Sequence, residues 1–127
     1  MDGAKQIPAT EALRRGEIFW AEVDPRSGSE QRGRRPVIIV SHDAFNLATG
    51  WRSVIVVPLS TSKAEEERGP TSVPLPAGSG GITRSSFALC HQVTTLDRAK
   101  LSKRVGIIPG SVLANVESGL RAAMNLG

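Results

Sequence analysis

The residues best suited to chemistry lie in one short stretch, Gly28-Ser29-Glu30-Gln31-Arg32-Gly33-Arg34-Arg35-Pro36. Pro36 restricts the residue before it, so Arg35 is held out of helical geometry and aimed at the start of a strand. A guanidinium fixed there offers planar, paired donors to a phosphate. Breaking a phosphodiester without a metal needs a base for the attacking hydroxyl, an acid for the departing oxygen, and donors for the charge that builds on the phosphoryl oxygens. Arg35 suits the last role. It is poorly suited to proton transfer, because an arginine pKa stays above about 12.

Histidine is the usual proton-transfer group near neutrality. Here His42 follows an apolar run at a helix start and His91 ends a strand, so each reads first as a capping or surface residue. Nothing in the sequence brings the two together. Cys90 is the single cysteine and is adjacent to His91, a spacing that gives neither an internal disulfide nor a zinc site. The run Pro76-Ala77-Gly78-Ser79-Gly80-Gly81 lacks a following Lys-Ser/Thr and opens no helix, so it reads as a hairpin connection and not a phosphate loop.

The 127-residue chain fits one domain and carries a net charge of +4. The charge is clustered. Arg26, Arg32, Arg34 and Arg35 face only Glu30 in one stretch, and Arg98, Lys100, Lys103 and Arg104 face only Asp97 in another. Such clusters suit a polyanionic partner or two solvated loops. No apolar run approaches the roughly 20 residues of a membrane span, and Met1–Arg15 is not a secretory signal. The lone cysteine fits a reducing cytoplasm, and no cofactor or metal is implied.

The elements that must position the site are mostly strands. Gly16–Val23, Pro36–Ser41, Ser53–Leu59, Thr71–Leu75, Ser86–Cys90 and Arg104–Ile108 are β-rich, and a polar loop spans Asp24–Arg35. Val112, Leu113, Val116, Leu120 and Met124 recur on one face of a closing helix. The pattern predicts a mainly β fold with a terminal α-helix, a small, partly open antiparallel barrel. Met1–Arg15 is expected to be a flexible arm, with 16–127 as a single domain.

Several segments together resemble the MazF/PemK toxin family. They are Arg15-Gly16-Glu17-Ile18-Phe19-Trp20, Gly28-Ser29-Glu30-Gln31, Arg35-Pro36-Val37, Pro58-Leu59-Ser60, Leu89-Cys90-His91-Gln92-Val93, and Thr95-Leu96-Asp97 with the basic stretch after it. The resemblance implies an SH3-like barrel (MazF/PemK/CcdB-like), a homodimer, and a metal-independent mRNA interferase that leaves a 2′,3′-cyclic phosphate and a 5′-hydroxyl. It also implies single-stranded RNA as substrate and a cognate antitoxin with an acidic, disordered segment as partner. Arg35 matches the catalytic arginine, and Ser60 stands where the family places a threonine, with Thr61 beside it. Either hydroxyl suits the role. Ser29, Glu30, Gln31, Arg32 and Arg34 match the substrate-binding loop, and Gln92 the polar residue after His91. His91 itself replaces an acidic residue.

Two other readings compete. A non-catalytic nucleic-acid-binding barrel would account for the charge, but the aromatic content is 4% with no tyrosine, whereas single-strand binders stack bases on rings. A toxin of the same fold that poisons DNA gyrase by protein contact would not need Arg35 or the hydroxyls.

Overall fold

A computed structural model of the chain describes residues 12–23 and 33–127. The candidate loop residues Ser29, Glu30, Gln31 and Arg32 lie outside the described residues.

The β-branched runs form the centre of one antiparallel sheet. Strand β1 spans Glu17–Val23, β2 Gly33–Ile39, β3 Ser53–Ser60, β4 Ser72–Leu75, β5 Ser86–Leu89, β6 Thr94–Asp97 and β7 Leu101–Ile107. The order is β4-β5-β3-β2-β1-β7, and β6 also pairs with β3. β3 is shared lengthwise: Ser53–Val56 pair with β6, while Leu59 and Ser60 pair with β5. The chain bends between β5 and β6 through a 3₁₀ turn at Cys90–Gln92. The sheet thus curls into an open barrel with β4 and β7 at its ends, as the apolar patterning predicts.

Both faces of β1–β3 are buried, which explains continuous apolar runs in place of strict alternation. Ile18, Ile38, Val57 and Leu59 join one cluster with Leu75, Ile82, Ala88 and Val116. Phe19, Val37, Ile39, Val54 and Val56 join another with Leu13 and Leu101. Helix α1 is a single turn, Asp43–Asn46. Helix α2, Gly110–Met124, covers the first cluster with Val112, Leu113, Val116 and Leu120 and ends at Asn125 in the left-handed conformation. Met124, the last residue of the apolar stripe, is exposed.

Two strand starts lie well before those read in the sequence, and one strand was not read there at all. β2 begins at Gly33, so Arg34 and Arg35 are strand residues paired with Glu22 and Ala21, not the end of a loop. β7 begins at Leu101, three residues earlier than its apolar pattern, because Leu101 and Arg104 pair with β1. β6 is short and half polar, and it exists through its pairing with β3.

Before β1 the chain is already anchored. Leu13 is fully buried. The Arg15 backbone N–H donates to Asp43 Oδ1 at 2.8 Å, its Nε to the Val40 carbonyl at 3.0 Å, and its Nη1 to Glu117 Oε2 at 2.6 Å. One residue thereby ties the segment just after β2 to α1 and α2.

The glycine run after β4 connects β4 to β5 as a hairpin and also packs against β7. Gly80 and Gly81 have positive φ, and a Cβ on Gly81 would stand 2.6 Å from the Val105 carbonyl oxygen. Only glycine allows that approach. It brings the following residues, Ile82 to Arg84, to the open side of the barrel.

Candidate active site

On that open side lies a cavity of about 630 Å³. Each wall comes from a different element: Trp20 from β1, Arg34 and Arg35 from β2, Ser60 and Thr61 from the end of β3, Thr83 and Arg84 from the loop before β5, and Lys103 and Arg104 from β7. Three candidates that the sequence singled out, Arg35, Ser60 and Thr61, therefore share one cavity with Arg34.

The first two lie on neighbouring strands, just beyond the last registered pair of β2 and β3. Val37 pairs with Pro58, and two residues further along each strand stand Arg35 and Ser60. Side chains alternate with period two, so both lie on the same face. Each is almost buried, 8% exposed for Arg35 and 7% for Ser60. Ser60 Oγ accepts the Ser62 N–H at 3.1 Å, which orients the hydroxyl and leaves its hydrogen able to donate elsewhere. Thr61 is exposed at the cavity wall.

Among the described residues the lining carries five cationic side chains, Arg34, Arg35, Arg84, Lys103 and Arg104, and no carboxylate. Concentrating one sign of charge in a cleft raises the local concentration of an anionic ligand. Arg104 is braced from behind: its Nε donates to Glu17 Oε2 at 2.6 Å, and Glu17 Oε1 accepts the Arg14 N–H at 2.7 Å. The β1–β7 register is irregular on both sides of Arg104, a pair of bulges that breaks the alternation of side chains there. As a result Lys103, Arg104 and Val105, three consecutive residues, all line the cavity. Arg34 lies over the Trp20 ring, 5.2 Å from its centroid.

The histidines stand elsewhere. His42 Nδ1 accepts the Ala44 N–H at 2.8 Å and caps α1, the capping role that its sequence position suggests. His91 and Gln92 belong to the 3₁₀ turn between β5 and β6, half-buried, and neither lines the cavity. Burial pushes the Cys90 thiol up to about 11, so at neutral pH it is a packed thiol and not a nucleophile. Among the described residues no group of three His, Cys, Asp or Glu side chains converges as a metal site, and no helix is long and apolar enough to cross a membrane.

Sequence reasoning did not place Trp20, Thr83, Arg84, Lys103 or Arg104 in the site. The basic stretch after Asp97 signalled the last two, and the glycine run signalled a close approach to another strand. Trp20 stood only as the end of a family-like segment and Arg84 carried no local signal, since only the curl of the sheet brings them together.

The comparisons with known proteins agree with this geometry. Residues 14–124 match a family described as PemK-like, MazF-like toxin of type II toxin–antitoxin system. Endoribonuclease MazF6 of Mycobacterium tuberculosis is 32% identical over 114 residues, which are 90% of this chain and 98% of that protein. The crystal structure of MazF from Deinococcus radiodurans superimposes with a TM-score of 0.73 at 28% identity, covering 91% of this chain and 99% of that one. The MazE–MazF complex from the same organism gives 0.69 at 27% identity, covering 92% and 99%.

Proposed function

The chain belongs to the PemK-like, MazF-like toxins of type II toxin–antitoxin systems, and from that premise we propose that it is an endoribonuclease that cuts single-stranded RNA in the Arg35–Ser60 cavity. The observation that carries the proposal is a nearly buried guanidinium and a nearly buried hydroxyl lining one cavity, to which the described residues contribute five cations and no carboxylate.

In this reading the 2′-oxygen of the substrate attacks the adjacent phosphorus as it loses its proton. The bond from phosphorus to the 5′-oxygen breaks, and that oxygen takes up a proton. The products are a 2′,3′-cyclic phosphate and a 5′-hydroxyl. Negative charge builds on the phosphoryl oxygens midway, and Arg35 is the donor set to hold it. Ser60, with Thr61 as its neighbour, adds a neutral donor to the same oxygens. Arg34 and the basic wall from β7 hold the flanking chain. Ser29, Glu30, Gln31 and Arg32 join the site through the family resemblance alone, as do His91 and Gln92.

The protein acts in the cytoplasm as a homodimer and is silenced by a cognate antitoxin whose acidic segment lies along the same cationic cavity. A disordered chain bearing carboxylates suits such a surface.

Incubating the purified protein with a long RNA in EDTA tests the reading. Discrete fragments with cyclic-phosphate ends are expected. Binding without cleavage would favour a non-catalytic barrel, and neither binding nor cleavage would sink the RNA assignment.

A further inference from the structure

Trp20 is the only aromatic residue among the described residues that line the cavity. It stands on β1, opposite Pro36 of β2, with its ring half-buried. Arg34 is exposed and lies with its guanidinium carbon 5.2 Å from the ring centroid. Ser102 of β7 links the two: its Oγ donates to the Trp20 carbonyl at 3.3 Å and accepts from Arg34 Nη2 at 3.5 Å. The pair is therefore held from three neighbouring strands, on the open side of the barrel.

Arg34 and Arg35 are consecutive strand residues, so their side chains leave opposite faces of β2. Both still line the cavity. Charge is already supplied there by Arg35, Arg84, Lys103 and Arg104. What Arg34 adds is a plane, since a guanidinium lying over an aromatic ring offers its outer face as a flat, weakly hydrated surface. Bases of single-stranded RNA stack on aromatic rings and on arginine planes of this kind.

We propose that Trp20 and Arg34 form a nucleobase-stacking seat, which takes a base beside the phosphate held at Arg35. The proposal rests on RNA being the substrate. The seat gives the cavity two separate tasks on adjacent residues of β2, base stacking at Arg34 and phosphate binding at Arg35. It also meets the low aromatic content of the chain, because one ring capped by one arginine suffices to hold one base.

The chain has two tryptophans. Trp51 is exposed, packs against Phe45 with ring centroids 5.0 Å apart, and does not line the cavity. A Trp51→Phe protein therefore reports on Trp20 alone. It would be titrated with a short, dye-labelled RNA made uncleavable by 2′-O-methyl groups, following anisotropy for binding and tryptophan emission for stacking. Emission is expected to fall as anisotropy rises. In a series with one abasic position at a time, a single position should restore emission and weaken binding about ten-fold.

Arg34→Lys keeps the charge and removes the plane, so it should weaken binding of the intact RNA by a similar factor while losing the abasic effect. As an exposed substitution it leaves folding aside. Normal binding with unchanged Trp20 emission and no privileged abasic position would overturn the seat and leave the RNA reading standing. Absence of any anisotropy change, together with absence of cleavage of natural RNA, would overturn the RNA reading itself.

Discussion

Arg35 and Ser60 each lie two residues beyond the Val37–Pro58 pair of β2 and β3, and both are nearly buried in the wall of one cavity. A permanent cation and a hydroxyl are thus set by strand register, not by a loop. Register is a stiff constraint, because a slip of one residue would turn both side chains to the other face. The fold therefore specifies the pair as firmly as it specifies the core residues Val37 and Val56 beside it.

From this follows the first prediction. Arg35→Ala should reduce the RNA cleavage rate by about 10²-fold or more, the usual consequence of losing one charge-stabilising donor. Arg35→Lys should recover little of it, since lysine lacks the paired donors. Because Arg35 sits inside β2, melting curves must accompany the rates. Near wild-type cleavage by either variant would remove Arg35 from the mechanism.

The two hydroxyls separate by position. Ser60 is buried in the cavity wall that also holds Arg35, and Thr61 is exposed one residue past the end of β3. Ser60→Ala should therefore slow cleavage at least ten-fold more than Thr61→Val does, and Ser60→Thr should stay active. The measurement is single-turnover cleavage of one defined RNA. Equal, small losses in both would mean that the phosphate receives no hydroxyl donor.

How much of this was legible in the sequence depends on the range of the interactions. The runs Pro36–Ser41 and Ser53–Leu59 announce strands because β-branched residues cluster there, and the spacing of Val112, Val116 and Leu120 announces α2. β6 is invisible, since Thr94-Thr95-Leu96-Asp97 has no apolar alternation of its own and forms a strand only against Ser53–Val56. The same holds within the site. Arg35 and Ser60 are marked by neighbouring motifs, whereas Trp20, Arg84 and Arg104 come together only through the curl of the sheet and the bulges of β7.

The seam between α2 and the sheet is tight enough to test. A Cβ on Gly119 would stand 2.7 Å from both Cys90 Sγ and Val73 Cγ2. Alanine there gains about 1 kcal/mol of helix propensity but overpacks the core, which typically costs about 1–3 kcal/mol. Gly119→Ala should lower the melting temperature, and a rise would show that the seam relaxes freely. In the native protein Cys90, with its thiol raised to about 11, should react with iodoacetamide near neutral pH only on unfolding.

If antitoxin and RNA share the cationic cavity, they must compete. An acidic peptide from the antitoxin should displace labelled, uncleavable RNA completely, and RNA affinity should fall steeply with salt as phosphate contacts are screened. A ternary complex with unchanged RNA affinity would place the antitoxin on a separate surface.

The last prediction concerns acid stability at the junction of β2, α1 and α2. Burial raises the Asp43 carboxyl, but the hydrogen bonds from the Arg15 backbone N–H and the Asn46 amide, with the charges of Arg14 and His42 nearby, outweigh it and hold the pKa below its ordinary 3.8. A group whose folded pKa is depressed binds fewer protons folded than unfolded. Its contribution is complete above the unfolded pKa and is lost as pH falls through the folded one. Asp43→Asn removes the titrating charge and keeps the size. The variant should melt below wild type at about pH 6, and the gap should close as the pH is lowered below about 3.8. A gap independent of pH would mean that Asp43 acts by shape alone, and that the Arg15 N–H bond carries no charge-dependent part of the stability.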